Sequence, residues 1–467
     1  MKPDDVRTAA EQLVAFHDRF ALLFGKTQAQ DHAYTYLKGL MCCPERKSIE
    51  PIALCVGDGQ VSGLQKFIGV APWAYDDVQA EAQALFAERF APAAIAGPTG
   101  VVGVVDESAF AKKGTKSAGV ARQHNGRLGK EDNCQVGVFL IGVAPEGVAL
   151  LDHRLYLPRG WYEGETAAGR RDEAHIPDDL VFRTKPEIAA ALIRNVAVLG
   201  TVALDWVVAD EAYGRDGEFL DEMDRLEQRY VAEVPKNTTV WTVDPAGCVP
   251  AYSGRGQPPK RPTRESVLSV AALAADLPEG AWQKLQVREG AVGPLVFEFA
   301  AVRVWAVRHR EPGPPIWVLI RRSLEEIPEV KFYVSNGDAE APLSVMALVA
   351  CTRHQVEDFF EDTKGYLGLA QYETRSWVGW HHHPFQGVSS VVQHVSTNDL
   401  MHDLRGRRQG CCPLRFSIGS STAARRSSWF ERRWSGCFGR NDSIRSSRTP
   451  GNDSTPNNCF SRKSSRS

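Results

Sequence analysis

Three acids frame the chemistry this sequence could perform: Asp106, Asp210 and Glu357, separated by 104 and 147 residues. Two of them close apolar runs, Asp106 after Val101–Val105 and Asp210 after Trp206–Ala209. Acids delivered by separate elements are what divalent-metal chemistry on a phosphodiester requires. Two Mg2+ ions roughly 3.5–4 Å apart activate the attacking oxygen and stabilise the departing one. Mg2+ takes carboxylate and water oxygens and keeps several waters, so a few side chains suffice. Each acid also has an ordinary structural reading, since a strand-terminal Asp often caps a turn. Glu107 and Glu211 are adjacent competitors, and strand alternation turns Glu107 to the opposite face from Asp106. Further along, Glu357, Asp358, Glu361 and Asp362 compete on one helix. Glu357 and Glu361 share a face there with Arg353 and Lys364, the pattern of a salt-bridged helix surface.

The elements that must carry these acids can be read from periodicity. Residues 1–95 are helical in pattern (VRTAAEQLVAFHDRFALLF, AQDHAYTYLKGLM, YDDVQAEAQALFAERF), a module that could bind DNA or cap the rest. At Gly97 the character changes to a buried strand that delivers Asp106 at its end, followed by NCQVGVFLIGV and GVALLDHRLYLP, a hairpin joined across Ala144–Gly147. Residues 158–184 read as polar and irregular. KPEIAAALIRNVAVLG reads as a helix with Pro186 near its start, leading to the strand before Asp210. EFLDEMDRLEQ is helical and RYVAEVP a short strand. Residues 244–266, rich in Pro, Gly and basic groups, read as an exposed linker. Three strand-like runs follow (WQKLQV, LVFEFAAVRVWAV, PIWVLIRR), then one long helix through LSVMALVACTRHQVEDFFEDTKGYLGL. The expected organisation is a helical module (1–95), a first core segment (96–243), a linker with a β-rich insertion (244–344), a last core helix (345–384) and a tail (385–467).

The surroundings of the acids resemble the DDE transposases of bacterial insertion sequences, specifically the insertion sequence seven-zero-one group within the wider class carrying a Tyr–Arg–Glu–Lys signature. The resemblance covers about residues 15–385. It is carried by DESAFAKKGTKSAGVARQHNGRLGKEDNCQVGVFL, by VVADEAYG and by RHQVEDFFEDTKGYLGLAQYETRSWVGWHHH. In that class the third acid lies in the spacing Y-x2-R-x3-E-x6-K, which Arg353, Glu357 and Lys364 fit, so the resemblance selects Glu357 over Glu361. The Tyr position falls on Ala350, a departure that removes one expected DNA-positioning contact. The implied fold is α/β and RNase H-like: a mixed five-stranded sheet with helices on both faces, Asp106 on the first strand, Asp210 on the fourth, and Glu357 on a helix after a β-rich insertion.

The same resemblance implies metal-dependent cleavage at element ends and strand transfer into target DNA. Asp106, Asp210 and Glu357 would hold two Mg2+ ions, with Mn2+ as a substitute. The expected partners are double-stranded DNA at the element ends and target, and further copies of the chain assembled on it. Arg353 and Lys364 are expected at the scissile phosphate, and Lys112, Lys113, Lys116, Lys260 and Arg261 along the backbone. Competing readings are an inactive remnant that binds DNA without transposing, and a metal-dependent nuclease without joining activity.

Composition constrains the rest. The net charge is −2, yet residues 404–467 carry 14 Lys and Arg against 3 Asp and Glu, leaving −13 on the preceding 403. Any nucleic-acid surface on the body is therefore local. The 14 serines of residues 417–467 and the absence of any hydrophobic period mark a segment that buries too little to order itself. A frame-shifted C-terminus is the preferred expectation, and a basic DNA-binding arm the alternative. Ten scattered cysteines without C-x-x-C spacing indicate neither a disulfide framework nor a zinc site. No apolar run approaches the roughly 20 residues a bilayer needs, and MKPDDVRTAAEQL lacks a signal-peptide core, so a cytoplasmic, nucleoid-associated protein without membrane contact is expected. His381–His383 cannot all face one ion from consecutive positions, and Trp377 and Trp380 read as packing residues.

Overall fold

The computed structural model describes residues 3–42, 46–126, 129–249, 266–290 and 293–384. The chain divides into one unit of Gln12–Ile418 and another of Met1–Glu11 with Gly419–Ser467. In the second of these, the described residues 3–11 are the opening turns of a helix. Lys260, Arg261 and the tail after residue 384 lie outside the described residues.

Helices occupy the first 95 residues, as their periodicity predicts: α1 (Pro3–Ala21), α2 (Thr27–Cys42), α3 (Ile49–Val56), α4 (Val61–Gly69) and α5 (Tyr75–Ile95). The sheet starts with β1 (Val102–Ala111), β2 (Ala121–Asn125), β3 (Lys130–Ala144) and β4 (Gly147–Leu155). β3 and β4 form the expected hairpin, closed by the Ala144–Gly147 pair around Pro145 and Glu146. The stretch 158–184 contains a short helix, α6 (Ala167–Glu173), where an irregular run was expected; at seven residues it is too brief to show a helical hydrophobic period. α7 (Lys185–Leu199) follows, with a capping box between Thr184 and Glu187 and Gly200 in the left-handed conformation at its end. Then come β5 (Trp206–Ala209), α8 (Glu211–Gly214), α9 (Gly217–Arg225) and β6 (Tyr230–Val234).

β7 (Thr239–Trp241) closes the segment expected as the first part of the core, and the region expected as linker and insertion contributes β8 (Val267–Ser269), α10 (Val270–Ala275), β9 (Gln283–Gly290), β10 (Gly293–Arg308), β11 (Glu311–Arg322) and β12 (Val330–Ser335). Its strands extend the core sheet. β12 pairs antiparallel with β6, giving one twelve-stranded mixed sheet in the order β2-β3-β1-β5-β6-β12-β11-β10-β7-β8, with β4 beside β3 and β9 beside β10. The five strands implied by the resemblance are thus part of a larger sheet, and β5 is fifth in chain order because the short β2 precedes it. Two corrections concern the last segment. β12 was not among the expected strands, since its six residues place Lys331 beside the consecutive aromatics Phe332 and Tyr333, with little alternation. The single long helix is two, α11 (Leu343–Cys351) and α12 (His354–Tyr366). At the break the Thr352 hydroxyl donates back to the Leu348 carbonyl, a bond that competes with helix continuation. Residues 377–384 are again helical.

Strand alternation sends side chains to two cores. Val105, Val138, Leu140, Val207 and Ala209 face α5, α7 and α9 through Phe86, Phe90, Ile193, Val196 and Met223. Val102, Val104, Phe139, Ile141 and Val208 face α11, α12 and the 377–384 helix through Met346, Val356, Phe360 and Trp380. Helices therefore cover both faces. The three consecutive histidines tie this last helix to the N-terminal helices. His382 stacks on Trp73 at 3.4 Å and its ring nitrogens face the carbonyls of Ile68 and Trp73. Tyr36 bonds to Nδ1 of His383, and Nε2 of the same ring meets the Leu369 carbonyl. His381 turns to the Trp377 carbonyl and the Leu155 amide. Burial pushes His382 and His383 down to about 4, so they serve as neutral hydrogen-bonding groups.

Candidate active site

Asp106 lies in the middle of β1, not at the strand end expected for it. The reason is that β1 has unequal neighbours. Its antiparallel pairing with β3 runs the full length, from Val102–Val143 to Ala111–Cys134, whereas its parallel pairing with β5 stops at Val104–Val208. Asp106 thus stands just beyond the point where the parallel neighbour ends. Parity puts Asp106 on the face of Val104, toward α11 and α12, and puts Glu107 on the face of Val105, toward α7. Glu107 accordingly pairs with Lys185 at the start of α7 and accepts a hydrogen bond from the Tyr213 hydroxyl at 3.4 Å. Alternation had separated these two acids correctly.

Asp210 follows the last residue of β5 and is the N-cap of α8. Its Oδ1 accepts from the amides of Ala212 at 2.9 Å and Tyr213 at 3.4 Å. Those bonds hold one carboxylate oxygen at the helix and leave Oδ2 facing Arg353, 3.9 Å away. Gly214 permits this placement. A Cβ there would stand 1.9 Å from the backbone oxygen of Glu233, so only glycine lets α8 lie this close to β6.

Glu357 is in the first turn of α12, which buries Val356, Phe359, Phe360 and Thr363 against the sheet and leaves Glu357 69% exposed. Arg353 precedes it by one turn, at the α11–α12 break, and gathers the set. Nη2 of Arg353 lies 3.5 Å from Asp106 Oδ2 and 3.9 Å from Asp210 Oδ2, and Nη1 lies 3.9 Å from Glu357 Oε1. The three acids and the arginine picked out in the sequence are therefore one cluster. Glu361, the competitor in the same helix, is exposed on the next turn. Lys364 reaches β1 from the other end of α12, with Nζ 3.5 Å from the Ala109 carbonyl and over the Phe110 ring.

Burial dominates the electrostatics. It pushes the Asp106 carboxyl up to about 6, against the pull of Arg353 and of the Glu107 amide that donates to its Oδ1, with Asp210 and Glu107 adding like charge. Glu107 is raised for the same first reason, with Lys185 opposing. Carboxylate oxygens from three elements are a hard, anionic donor set that suits Mg2+ or Mn2+.

The lysines expected along the DNA backbone are spread over different environments. Lys113 is exposed, and Lys116 is exposed but paired with Glu173 at 3.3 Å. Lys112 is turned inward: its ammonium sits 3.4 Å from the centre of the Tyr372 ring and donates to the Tyr372 carbonyl at 3.1 Å. Burial brings Lys112 down to about 8. Sequence reasoning missed Lys185 and Tyr213, which hold Glu107 from α7 and α8, and Glu233 of β6, whose charge acts on Arg353. Nothing local distinguishes them, because each acquires its place only through a long-range strand or helix contact.

Among the described residues no helix is long and apolar enough to cross a membrane. Residues 19–294 match the family model described as DDE superfamily endonuclease. That match includes Asp106 and Asp210 and ends before Glu357. The chain is also similar to a protein of Microchaete diplosiphon named as the probable transposase for insertion sequence element IS701, with 32% identity over 207 residues. The alignment covers 44% of this chain and spans about half (49%) of that relative. A mixed sheet that brings an acid from β1 and another from the end of β5 to one arginine, and a family match over more than half of the chain, place this chain in the DDE endonuclease superfamily.

Proposed function

We propose that the chain is a DNA transposase that cleaves at the ends of its element and joins the freed 3′-OH to target DNA. The observation carrying this reading is the convergence of Asp106, Asp210 and Glu357 on the single guanidinium of Arg353. Asp106, Asp210 and Glu357 would hold two Mg2+ ions, with Mn2+ as a substitute. Such a pair supplies activation of the attacking oxygen and neutralisation of charge on the departing one. The remaining work falls to side chains. Backbone amides of α8 orient Asp210, and the core packing of α12 orients Glu357. Asp106, with its carboxyl near 6, gives up its proton close to neutral pH, so it ligates as a carboxylate under working conditions. Arg353 and Lys364 are the cations nearest the acids from α12 and suit phosphate oxygens flanking the cleaved bond. Lys113 and Lys116, together with Lys260 and Arg261, are proposed to contact the DNA backbone. Lys112 contributes through its Tyr372 contact at the edge of the same surface. Double-stranded DNA is the proposed partner, at element ends and at the target, with copies of the chain assembling on it.

Asp106→Ala, Asp210→Ala and Glu357→Ala should each abolish Mg2+-dependent nicking of a DNA fragment carrying the element end, while electrophoretic retardation of that fragment persists. Wild-type cleavage by any of the three would remove that residue from the metal set. Joining of a pre-cleaved 3′-OH end to a plasmid separates a transposase from a nuclease that only cuts.

A further inference from the structure

The guanidinium of Arg353 does not form a tight pair with any one acid. Its three carboxylate distances lie between 3.5 and 3.9 Å, beyond the 2.7–2.9 Å of a well-made charge-assisted hydrogen bond. It is centred among them instead. Asp106 and Asp210 share Nη2, and Glu357 faces Nη1. Its Nε is buried and finds no hydrogen-bond partner among the described residues. The backbone beneath it is the break between α11 and α12, where the Thr352 amide bonds the Val349 carbonyl and its hydroxyl the Leu348 carbonyl. One cation among three acids leaves the cluster anionic and attractive to a further cation, yet that cation needs the same oxygens.

From this arrangement, and resting on the reading that the three acids bind divalent metal, we infer that Arg353 is a gate on the metal site. Its guanidinium and a divalent ion compete for Asp106, Asp210 and Glu357, and metal binding releases the arginine from the cluster. The opposite role, an arginine that holds the acids in place for the ion, predicts effects of the opposite sign. Coulomb attraction at these separations in a half-buried site is large enough to shift metal affinity substantially. The released guanidinium keeps its charge and becomes available to a phosphate oxygen.

Isothermal titration of Mn2+ into the chelator-treated full chain decides between the two roles. Arg353→Gln, which removes the charge and keeps much of the side-chain length, should tighten Mn2+ binding by about tenfold. Unchanged or weaker binding by a folded Arg353→Gln chain overturns the gate. Asp106→Asn and Asp210→Asn are titrated alongside. If they weaken Mn2+ binding while Arg353→Gln does not tighten it, the gate fails and the metal site stands. If neither weakens it, the metal site itself fails, and the gate with it. The wild-type chain supplies a test that needs no variant. Mn2+ should speed the modification of Arg353 by phenylglyoxal, followed by peptide mass spectrometry, and an unchanged or slower rate overturns the proposal.

Discussion

Asp106 is the residue at which folding and chemistry oppose each other. Its carboxyl is largely withdrawn from water and raised to about 6, compared with about 3.9 in an unfolded chain. An acid raised in the folded state keeps a proton that the unfolded chain has already lost. Its contribution to stability therefore falls as pH rises from about 4 to about 6 and stays low above that. Asp106→Asn keeps an oxygen for the Glu107 amide and removes the buried charge. At neutral pH, without added metal, it should stabilise the chain by about 1–3 kcal/mol, and the gain should vanish near pH 4. Paired denaturation curves at the two pH values measure this; a variant less stable than wild type at neutral pH would count against the buried-charge account. Divalent-metal affinity should run the other way in pH. Binding requires the ionised carboxylate, so Mn2+ affinity measured by titration should rise through pH 6 and level off above it. A flat profile between pH 5 and 7 would mean that Asp106 is not the limiting ligand.

At the scale of elements, the site depends on how closely α8 approaches β6. Asp210 has its orientation because it caps α8, and α8 has its position because Gly214 meets the Glu233 backbone without a side chain. Gly214→Ala should push the helix outward, costing about 1–3 kcal/mol of stability, and should depress metal affinity through Asp210. Denaturant melts and Mn2+ titration of this variant read the two effects separately. Normal metal binding would show that Asp210 does not depend on that contact. The break between α11 and α12 is the other decisive element. A continuous helix was the natural expectation from periodicity, because apolar spacing persists through Thr352 and Arg353. The first helix ends at Cys351, where the Thr352 amide turns to the Val349 carbonyl, and Arg353 stands at the head of α12, one turn before Glu357.

Across the described residues, the sheet is continuous from β2 to β8, so the strands of 267–335 buttress the strands that carry Asp106 and Asp210 through the β6–β12 pair. The N-terminal helices are integrated as well. Phe86 and Phe90 of α5 belong to the core beneath β3 and β4, and Trp73 is clasped by His382 from the end of the described chain. His382→Ala removes a buried ring stack and hydrogen bonding to the α4–α5 connection, and should cost about 2–4 kcal/mol in urea denaturation. A cost under roughly 0.5 kcal/mol, the range of ordinary surface substitutions, would show that the histidine cluster does not join these parts.

Much of this was legible before any coordinates. The alternation that separates Asp106 from Glu107, the hairpin around Pro145 and the helix with Pro186 near its start are local patterns, whereas the family resemblance is what selected Glu357 over Glu361. Local patterns record local forces: side-chain direction, turn geometry and the face a helix buries. The sequence by itself determined which acids were candidates, which elements carried them, and that the three histidines could not surround one ion. Only the tertiary structure decided that Asp106 sits mid-strand, because that depends on where a partner 104 residues away stops pairing. It likewise decided that Lys112 turns inward onto Tyr372, and that Arg353 stands among all three acids. Each of these outcomes depends on long-range contacts, and no short window of sequence contains both sides of such a contact.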